Sequence, residues 1–303
     1  QLEPLALVAY GGSVLALLMV MSPLGSAKLG SQRWFQLGPL QLQPSEMAIG
    51  AVLLALAVLL SRLGGEIGLR QLVVLLAIAG LPALFVIVQP DLGSGIVILV
   101  VSGLMIAIGG IRRSHLLALV VLAVAGTVAV IHLGLLHGYQ LQRLTGFLHQ
   151  GKIAPGIHYS ASQYNLAQSK IAIGSGRLFG QGLFHGNQTN LGNVPEQSTD
   201  FIFTAVAEQL GFVGGAFLLC LYSIIVWRVW VAARDAHDLF GRLLCTGVLA
   251  LFVISIFENV GMTMGIMPIT GIPLPMVSYG GSALALFAFS IGLVLNVSRR
   301  RAR

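Results

Sequence analysis

Residues 71–88 read QLVVLLAIAGLPALFVIV, a stretch in which no side chain is charged. A helix needs about 20 consecutive apolar residues to cross the hydrocarbon core of a bilayer, which is about 30 Å thick. Similar stretches recur along the chain of 303 residues, of which 56% are hydrophobic and 9% are charged. A soluble domain of this length could not bury so much apolar surface. The sequence therefore predicts an integral membrane protein.

Eight apolar stretches are long enough to be predicted as membrane-spanning helices. Their ranges are 3–22, 45–61, 70–88, 93–111, 114–135, 200–229, 240–263 and 281–298. The predicted fold class is all-α, a polytopic transmembrane helix bundle that forms one integral membrane domain over residues 1–303. One long connection, residues 136–200, interrupts the pattern, and connections of this length are usually functional. We expect it to be an extracytoplasmic loop.

Orientation is predicted from the 17 Lys and Arg residues, because cytoplasmic loops contain more of them than loops on the other side. If the chain starts in the cytoplasm, six of these residues lie outside. They are Lys28, Arg33, Arg143, Lys152, Lys170 and Arg177. Both termini are therefore predicted to be cytoplasmic. The net charge of +7 then follows mainly from topology and gives little support to nucleic-acid binding.

The ends and the cysteines exclude other classes of protein. No basic segment precedes the first apolar run, so a cleavable signal peptide is not expected. Because the chain begins with Gln1 and not with Met, we expect it to come from a longer or processed protein. Cys220 and Cys245 lie far apart in apolar stretches, and neither they nor the 7 His residues form a metal-binding pattern.

Asp200 lies where the polar connection meets a predicted helix. Ser198 or Thr199 could cap that helix, and an acidic residue in the first turn suits the helix dipole, so a capping role for Asp200 is one interpretation. Thr204 and Glu208 follow at helical spacing, which places all three on one broad face. That face could line a groove, or Glu208 could simply pair within the bundle.

Five stretches in this order resemble the SEDS family (shape, elongation, division, sporulation), which contains the RodA and FtsW proteins. They are Gln32-Arg33-Trp34 with Gln43-Pro44-Ser45-Glu46, Gln89-Pro90-Asp91-Leu92-Gly93, residues 168–176 (QSKIAIGSG), residues 195–203 (PEQSTDFIF) and residues 271–282 (GIPLPMVSYGGS). The resemblance covers essentially the whole chain, and the third and fifth stretches are more similar to RodA than to FtsW. Family members have about ten transmembrane helices, which implies that about two N-terminal helices are missing here.

The resemblance implies a peptidoglycan glycosyltransferase that polymerises lipid II into glycan strands on the outer face of the bacterial cytoplasmic membrane, for cell elongation and shape. It implies that Asp200 is the catalytic base, which takes the proton from the acceptor hydroxyl. A single carboxylate could suffice because the lipid pyrophosphate is already a good leaving group, whereas hydrolytic glycosidases need a second carboxylic acid. It also implies a partner, a class B penicillin-binding protein with transpeptidase activity.

Other residues are expected to contact the substrate or line its cavity. Arg33, Lys170 and Arg177 could bind the pyrophosphate, alone or with a divalent cation, or could be solvated cations that contact lipid headgroups. The remaining candidates are Glu46, Thr204, Glu208 and Ser278.

Glu46 differs from the family pattern in its surroundings. Family members commonly have a Lys three residues after this Glu, which forms an intramembrane ion pair, and this chain has Ile49. Either the pair is absent or another cation replaces the Lys. Ionisable groups inside predicted spans are costly and usually functional or paired, so Glu46, Asp91 and Glu258 are also noted on this ground.

Two functions of other classes are consistent with parts of the sequence. A lipid II flippase or another transporter would use the intramembrane carboxylates, although the internal repeats typical of transporters are not visible. A non-catalytic scaffold of a cell-wall synthesis complex would leave Asp200 as a cap. A nucleotide loop at Gly174–Gly182 is rejected, because no P-loop Lys or preceding strand accompanies it.

Overall fold

The computed structural model describes residues 2–28, 31–38, 40–65, 67–132, 147 and 161–300. The predicted loop 136–200 is therefore described only at residue 147 and from residue 161 onward, and its cations Arg143 and Lys152 lie outside the described residues. The helices are α1 (Leu2–Val20), α2 (Pro44–Leu63), α3 (Leu69–Val88), α4 (Leu92–Ile108), α5 (Arg113–His132), α6 (Ala161–Ser175), α7 (Asn187–Asn190), α8 (Ile202–Arg234), α9 (Leu239–Met264) and α10 (Gly281–Arg300). The strands are β1 (Ser26–Lys28), β2 (Ser31–Leu37) and β3 (Leu40–Leu42).

Each of the eight predicted spans coincides with a helix of the structure. Within the described residues, five helices are long and apolar enough to cross a membrane, namely α2, α3, α8, α9 and α10. Helices α1, α4 and α5 contain shorter apolar segments. The predicted fold class, a polytopic helical membrane protein, is confirmed.

A small antiparallel sheet between α1 and α2 was not predicted. Its strand order is β1-β2-β3, with Ala27 opposite Gln32 and Gln36 opposite Gln41. Gly38, with a φ of 61°, lies in the connection between β2 and β3, where its missing β-carbon permits a left-handed backbone. The hydroxyl of Ser282 accepts a hydrogen bond from Gln43 N and donates one to Gln41 O, which fixes the end of β3 against α10.

The chain divides into two compact units, which are described separately. The first contains residues 1–118, 225–254 and 280–303, and the second contains residues 119–224 and 255–279. In the first unit, α2 is the central helix and contacts α1, α3, α4 and α10. Small residues allow this close packing, since a β-carbon added at Gly50 would lie 3.1 Å from the side chain of Leu286.

The second unit has its own apolar core below the start of α8. The buried side chains of Leu166, Val194, Phe201, Met262 and Ile269 pack together there. They come from α6, from the turns before α8, from α9 and from the segment that follows α9. This core holds these elements together, and it contains Phe201, the residue that follows Asp200.

Helix α8 is interrupted at Gly211, whose φ of 67° and ψ of −165° are not helical. Residues 176–186, here named the break loop, provide hydrogen bonds for the interrupted backbone. Gln181 N and Gly182 N donate to the carbonyls of residues 208 and 209, at 3.0 Å each. Phe212 N and Val213 N, after the interruption, donate to the carbonyls of residues 177 and 178.

Glycine is required where the break loop meets α8. A β-carbon added at Gly180 would lie 2.1 Å from the carbonyl oxygen of Gln209, and one added at Gly211 would lie 2.3 Å from the nitrogen of Gly180. No side chain fits at these distances, and both glycines also have positive φ values. This backbone packing explains why the stretch 174–182 is rich in glycine.

Candidate active site

Asp200 lies in a turn immediately before α8. Its N–H donates to the carbonyl of Glu196 at 3.0 Å, and α8 begins two residues later at Ile202. Phe201 is buried in the core of the second unit, whereas Asp200 is half-buried. The turn thus places Asp200 just before the N-terminus of α8 rather than within the first turn of that helix.

The predicted cap at Thr199 has a different partner in the structure. Its hydroxyl donates to the carbonyl of Glu196 at 3.2 Å and lies 3.3 Å from the Glu196 carboxylate. Thr204 N, in the first turn of α8, donates instead to the carbonyl of Phe201 at 3.0 Å. A backbone turn therefore satisfies that donor of the helix start.

Asn259 of α9 connects the Asp200 turn to a second loop. Its side-chain Nδ2 donates to the carbonyls of Asp200 and Ile272, at 2.8 Å each. Both bonds require the amine end of the amide, so they set the orientation of the side chain. Its Oδ1 is buried without a hydrogen-bond partner among the described residues. Asn259 therefore fixes the backbone of Asp200 relative to residues 271–279.

The absence of a side chain at Gly271 leaves room for the carboxylate of Asp200. A β-carbon added at Gly271 would lie 3.0 Å from Asp200 Oδ2, and the φ of Gly271 is +80°. The preceding residue, Thr270, donates from its hydroxyl to the buried carboxylate of Glu258 at 2.9 Å. Adjacent residues of α9, Glu258 and Asn259, thus hold the loop on both sides of Gly271.

Ser278, one of the predicted cavity residues, lies at the other end of this loop. Its hydroxyl accepts from Leu274 N at 2.8 Å and donates to the carbonyl of Thr199 at 2.5 Å. Tyr279 N donates to the carbonyl of Ser198 at 2.8 Å. These bonds join the loop to the two residues that precede Asp200, so the structure brings Ser278 and Asp200 into one network.

Thr204 is fully buried in a chain of hydroxyl groups. Ser169 of α6 donates to the carbonyl of Thr263 at 2.8 Å, and its oxygen lies 2.7 Å from Thr204 Oγ1. Because Ser169 has one proton and uses it on Thr263, Thr204 is the donor in the second bond. The chain ties α6, α8 and α9 together beneath the Asp200 turn.

Glu208 has no exposed surface and contacts the short helix α7. Its carboxylate accepts from Gln188 N at 2.7 Å, from Thr189 N at 3.0 Å and from the hydroxyl of Thr189 at 2.6 Å. Backbone donors in the first turn of a helix are normally satisfied by an N-cap side chain. Here Glu208 supplies that oxygen from α8 and anchors the segment after the break loop.

The predicted cations differ in their surroundings. Lys170 and Arg177 are exposed on the second unit. Arg33, in the first unit, donates from Nε to the carbonyl of Gln89 at 2.9 Å and from Nη2 to the carbonyl of Pro90, and its Nη1 lies 3.8 Å from Asp91 Oδ1. No group of three His, Cys, Asp or Glu side chains within the described ranges could hold a metal ion, and the possible divalent cation stays a prediction.

Asp91 is the centre of the polar cluster in the first unit. It caps α4 by accepting from Ser94 N at 3.3 Å, and it also accepts from Gln43 Nε2 at 3.1 Å and Ser45 Oγ at 3.2 Å. Glu46 is buried next to these residues in α2. Among the described residues no Lys or Arg forms an ion pair with Glu46, which agrees with Ile49 in the place of the family's Lys.

Asn259 and Gly271 are the residues that sequence reasoning missed. A signal for Asn259 was present, since an amide beside Glu258 inside an apolar stretch is costly unless it has a role. Gly271 belongs to the fifth family stretch, but its closeness to Asp200 depends on residues 71 positions apart in the chain. Spacing alone could not predict that contact.

Comparison with known proteins gives consistent matches over the whole chain. A family model described as cell cycle protein, for FtsW, RodA and SpoVE, matches residues 1–303. Peptidoglycan glycosyltransferase MrdB of Escherichia coli is 39% identical over 286 residues, which are 94% of this chain and 75% of MrdB. Stage V sporulation protein E of Bacillus subtilis is 36% identical over 287 residues, which are 94% of this chain and 76% of that protein.

Solved structures give the same result. A structure described as a peptidoglycan synthase complex that coordinates polymerization and crosslinking matches with a TM-score of 0.78 and 30% identity, and covers 99% of this chain and 82% of that chain. The rod shape determining protein RodA of Thermus thermophilus matches with a TM-score of 0.69 and 29% identity, and covers 100% of this chain and 80% of that chain.

Proposed function

This chain belongs to the family of FtsW, RodA and SpoVE proteins and is a membrane peptidoglycan glycosyltransferase, and we propose that Asp200 is its general base. One observation carries this assignment. The turn before α8 holds Asp200 by its backbone at two points, Glu196 O and Asn259 Nδ2, in a half-buried position beside Gly271. A catalytic base must be both accessible to substrate and fixed in position, and this arrangement provides both.

The proposed reaction joins two lipid-linked sugars. The carboxylate of Asp200 takes the proton from the acceptor hydroxyl, whose oxygen bonds to the anomeric carbon of the donor. The bond from that carbon to the pyrophosphate breaks, and the lipid pyrophosphate leaves with the electron pair. A positioned base contributes about 10²–10⁴-fold to the rate, so the positioning of both substrates must supply much of the remainder.

We propose lipid II as the substrate and the extracytoplasmic face as the site of reaction. The excess of Lys and Arg in the opposite loops supports this orientation, with both termini in the cytoplasm. Lys170 and Arg177, exposed on the same unit as Asp200, are the proposed pyrophosphate contacts. Arg33 and Glu46 remain candidates for the substrate cavity, although Arg33 already bonds Gln89 and Asp91.

The buried candidates have proposed roles in positioning. Thr204 and Ser278 connect the elements that support the Asp200 turn, and Glu208 anchors α7. Asn259 acts through Asp200, because it fixes the backbone of the base and that of Ile272 together. None of these four needs to touch the substrate for the reaction to depend on it.

The protein is a multi-pass protein of the bacterial inner membrane. We propose a class B penicillin-binding protein as its partner, which would cross-link the strands that this chain polymerises. The likeness to a synthase complex that coordinates polymerization and crosslinking supports that partner. A role in elongation and cell shape is supported by the identity to MrdB and the likeness to RodA.

Polymerisation of labelled lipid II by the purified protein, alone and with its transpeptidase partner, tests the proposal. Asp200→Ala should abolish glycan strands while folding and partner binding are retained. The control is Glu196→Ala, which removes an exposed carboxylate from the same turn. Translocation of lipid II without polymer would favour a flippase, and undiminished polymer from Asp200→Ala would refute the base. Polymer made by the partner and not by this chain would favour a scaffold role for this chain.

A further inference from the structure

The break loop exposes several large apolar side chains on a backbone that is hydrogen-bonded to α8. Phe179 and Phe184 are 80% and 82% exposed, and Leu178 and Leu183 are 61% and 58% exposed. Exposed apolar side chains that cluster in this way mark an interaction surface, whereas isolated ones are common and need no explanation.

Several backbone groups of the break loop are hydrogen-bonded within the protein. Phe184 N donates to Gln209 Oε1 at 3.0 Å, and the carbonyl of Phe184 accepts from Asn190 Nδ2 at 2.9 Å. Gly180 N and His185 N donate to carbonyls within the loop. Irregular backbone near hydrocarbon is tolerated only when its polar groups have partners, and these groups have them.

Phe184 adopts a conformation that bulky residues avoid. Its φ is +62°, in the left-handed region, and the hydrogen bonds above hold it there. The protein thus keeps a strained backbone that directs an aromatic ring outward, where 82% of the residue is exposed. A partner for the ring outside this part of the chain would explain why the conformation is kept.

The break loop lies beside an exposed apolar part of α8, and this position indicates what the ring of Phe184 contacts. The carbonyls of residues 177 and 178 accept from the N–H groups of Phe212 and Val213, so the loop lies beside these residues. About nine residues of α8 precede the break, which is roughly 13 Å along the helix axis. Phe212 is itself 69% exposed. In the most apolar stretch of α8, only 17% of the residues are buried.

We infer that the break loop is inserted into the bilayer, with Phe179 and Phe184 among lipid acyl chains at the boundary with the headgroups. The surface is continuous with the exposed apolar face of α8, which as a membrane span contacts lipid. Arg177, proposed above as a pyrophosphate contact, is exposed beside Leu178, which would place its cation in the headgroup region where lipid phosphates and a lipid pyrophosphate both lie. This inference depends on the membrane span and not on the role of Asp200.

Nitroxide accessibility in vesicles tests the inference. Cys220 and Cys245 are first replaced by alanine in the full chain, and the melting temperature of this cysteine-free protein is compared with that of the parent. Phe179→Cys and Phe184→Cys are then introduced one at a time. The labelled protein is reconstituted in phosphatidylethanolamine and phosphatidylglycerol vesicles. Relaxation by oxygen, which concentrates in hydrocarbon, is compared with relaxation by a water-soluble nickel chelate.

Two further positions give the reference values. Phe217→Cys reports a lipid-facing site on α8, and Glu196→Cys reports an exposed polar turn. We expect labels at 179 and 184 to match Phe217→Cys, with oxygen favoured over the nickel chelate. Values that match Glu196→Cys would overturn the inference, because the loop would then lie in water. Protection from both reagents would overturn it as well, because a protein surface would then cover the loop.

Discussion

Asp91 and Asp200 both lie at the start of a helix, in two different family stretches, yet their surroundings in the structure differ. Asp91 is 6% exposed, and its carboxylate accepts hydrogen bonds from Gln43, Ser45 and Ser94 and pairs with Arg33. Asp200 is half-buried and is held through its backbone, at Glu196 and Asn259.

We propose that the difference separates a structural carboxylate from a reactive one. A carboxylate whose oxygens are occupied by fixed donors stabilises the fold, and its ionised form is already committed to those contacts. A carboxylate that is partly exposed, on a main chain fixed by hydrogen bonds, can be reached by a substrate and is held in position. Asp91 belongs to the first type, and we assign Asp200 to the second.

The largest expected effect comes from replacing each aspartate by asparagine. Asp200→Asn keeps the size of the side chain and removes the base, so the polymerisation rate should fall by about 10²–10⁴-fold with little change in melting temperature. Asp91→Asn removes the charge that faces Arg33, and its amide NH2 leaves Ser94 N or Gln43 Nε2 without an acceptor, so the free energy of unfolding should fall by about 2 kcal/mol. Lipid II polymerisation and thermal unfolding in detergent are measured for both.

The contrast between the two aspartates would fail if the variants behaved alike. In particular, an Asp91→Asn protein with wild-type melting temperature and a rate as low as that of Asp200→Asn would place Asp91 among the catalytic groups. The exposed carboxylate of Glu196 provides the control, since Glu196→Gln should leave both quantities nearly unchanged.

Asn259→Leu is expected to have the next largest effect. Leucine has a similar size but cannot donate to the carbonyls of Asp200 and Ile272, so the base shifts while its chemistry is intact. A misplacement of about 1 Å can lower a rate about 10²-fold. The loss should be in kcat, with KM for lipid II nearly unchanged, because the proposed role of Asn259 is to position the base.

Ser255→Ala is the matched control for Asn259, because Ser255 is a buried polar residue one turn earlier in α9. Its kcat should stay close to that of the parent. If Asn259→Leu and Ser255→Ala lowered the melting temperature equally and left kcat per folded molecule unchanged, Asn259 would be only a structural residue.

A smaller effect, mainly on stability, is expected at Glu208. Glu208→Gln replaces one carboxylate oxygen with an amide NH2 group, which cannot accept from Thr189 or Gln188, and a buried donor is left without a partner. The cost of such a donor is about 1–3 kcal/mol. Thermal unfolding should report the loss, and hydrogen exchange should increase at Gln188 and Thr189. Unchanged exchange at both N–H groups would contradict the assigned anchoring role.

The smallest expected effect comes from alanine at two glycines with left-handed backbone. Gly271→Ala and Gly64→Ala carry the same conformational strain, about 1 kcal/mol, because both φ values are positive. Only at Gly271 does the new β-carbon meet Asp200, at 3.0 Å, whereas nothing lies within 4 Å at Gly64. Gly271→Ala should therefore lower kcat several-fold, whereas Gly64→Ala should not. Equal kcat values in the two variants would show that the closeness of residue 271 to Asp200 does not affect the reaction.

Much of the fold could be predicted because apolar runs of span length have few alternatives. All eight spans coincide with helices, and the errors in their bounds lie at ends that local residues determine. Helix α4 ends at Ile108 and not at residue 111, since Gly109 and Gly110 follow and Gly110 has a φ of +105°. Asp200 was predicted inside α8, but the helix begins at Ile202 because a turn from Glu196 precedes it.

The remaining features depend on contacts between distant residues. The break at Gly211 becomes possible only because the break loop, about 30 residues earlier, satisfies the interrupted backbone. Glu208 was predicted to lie with Asp200 and Thr204 on one face, and the structure directs its carboxylate to Thr189. Asn259 stands 59 residues from the carbonyl that it binds. The periodicity and composition of the sequence do not predict such contacts between distant residues.

Chemical rescue of Asp200→Ala tests the central claim most directly. The variant lacks the carboxylate and leaves a space beside Gly271 that a small acid such as formate can enter. We predict that its polymerisation of lipid II is lower than that of the parent by about 10²–10⁴-fold, and that it rises with formate concentration while the parent rate does not. A variant that polymerises lipid II at the parent rate without formate would contradict the assignment of Asp200 as the base.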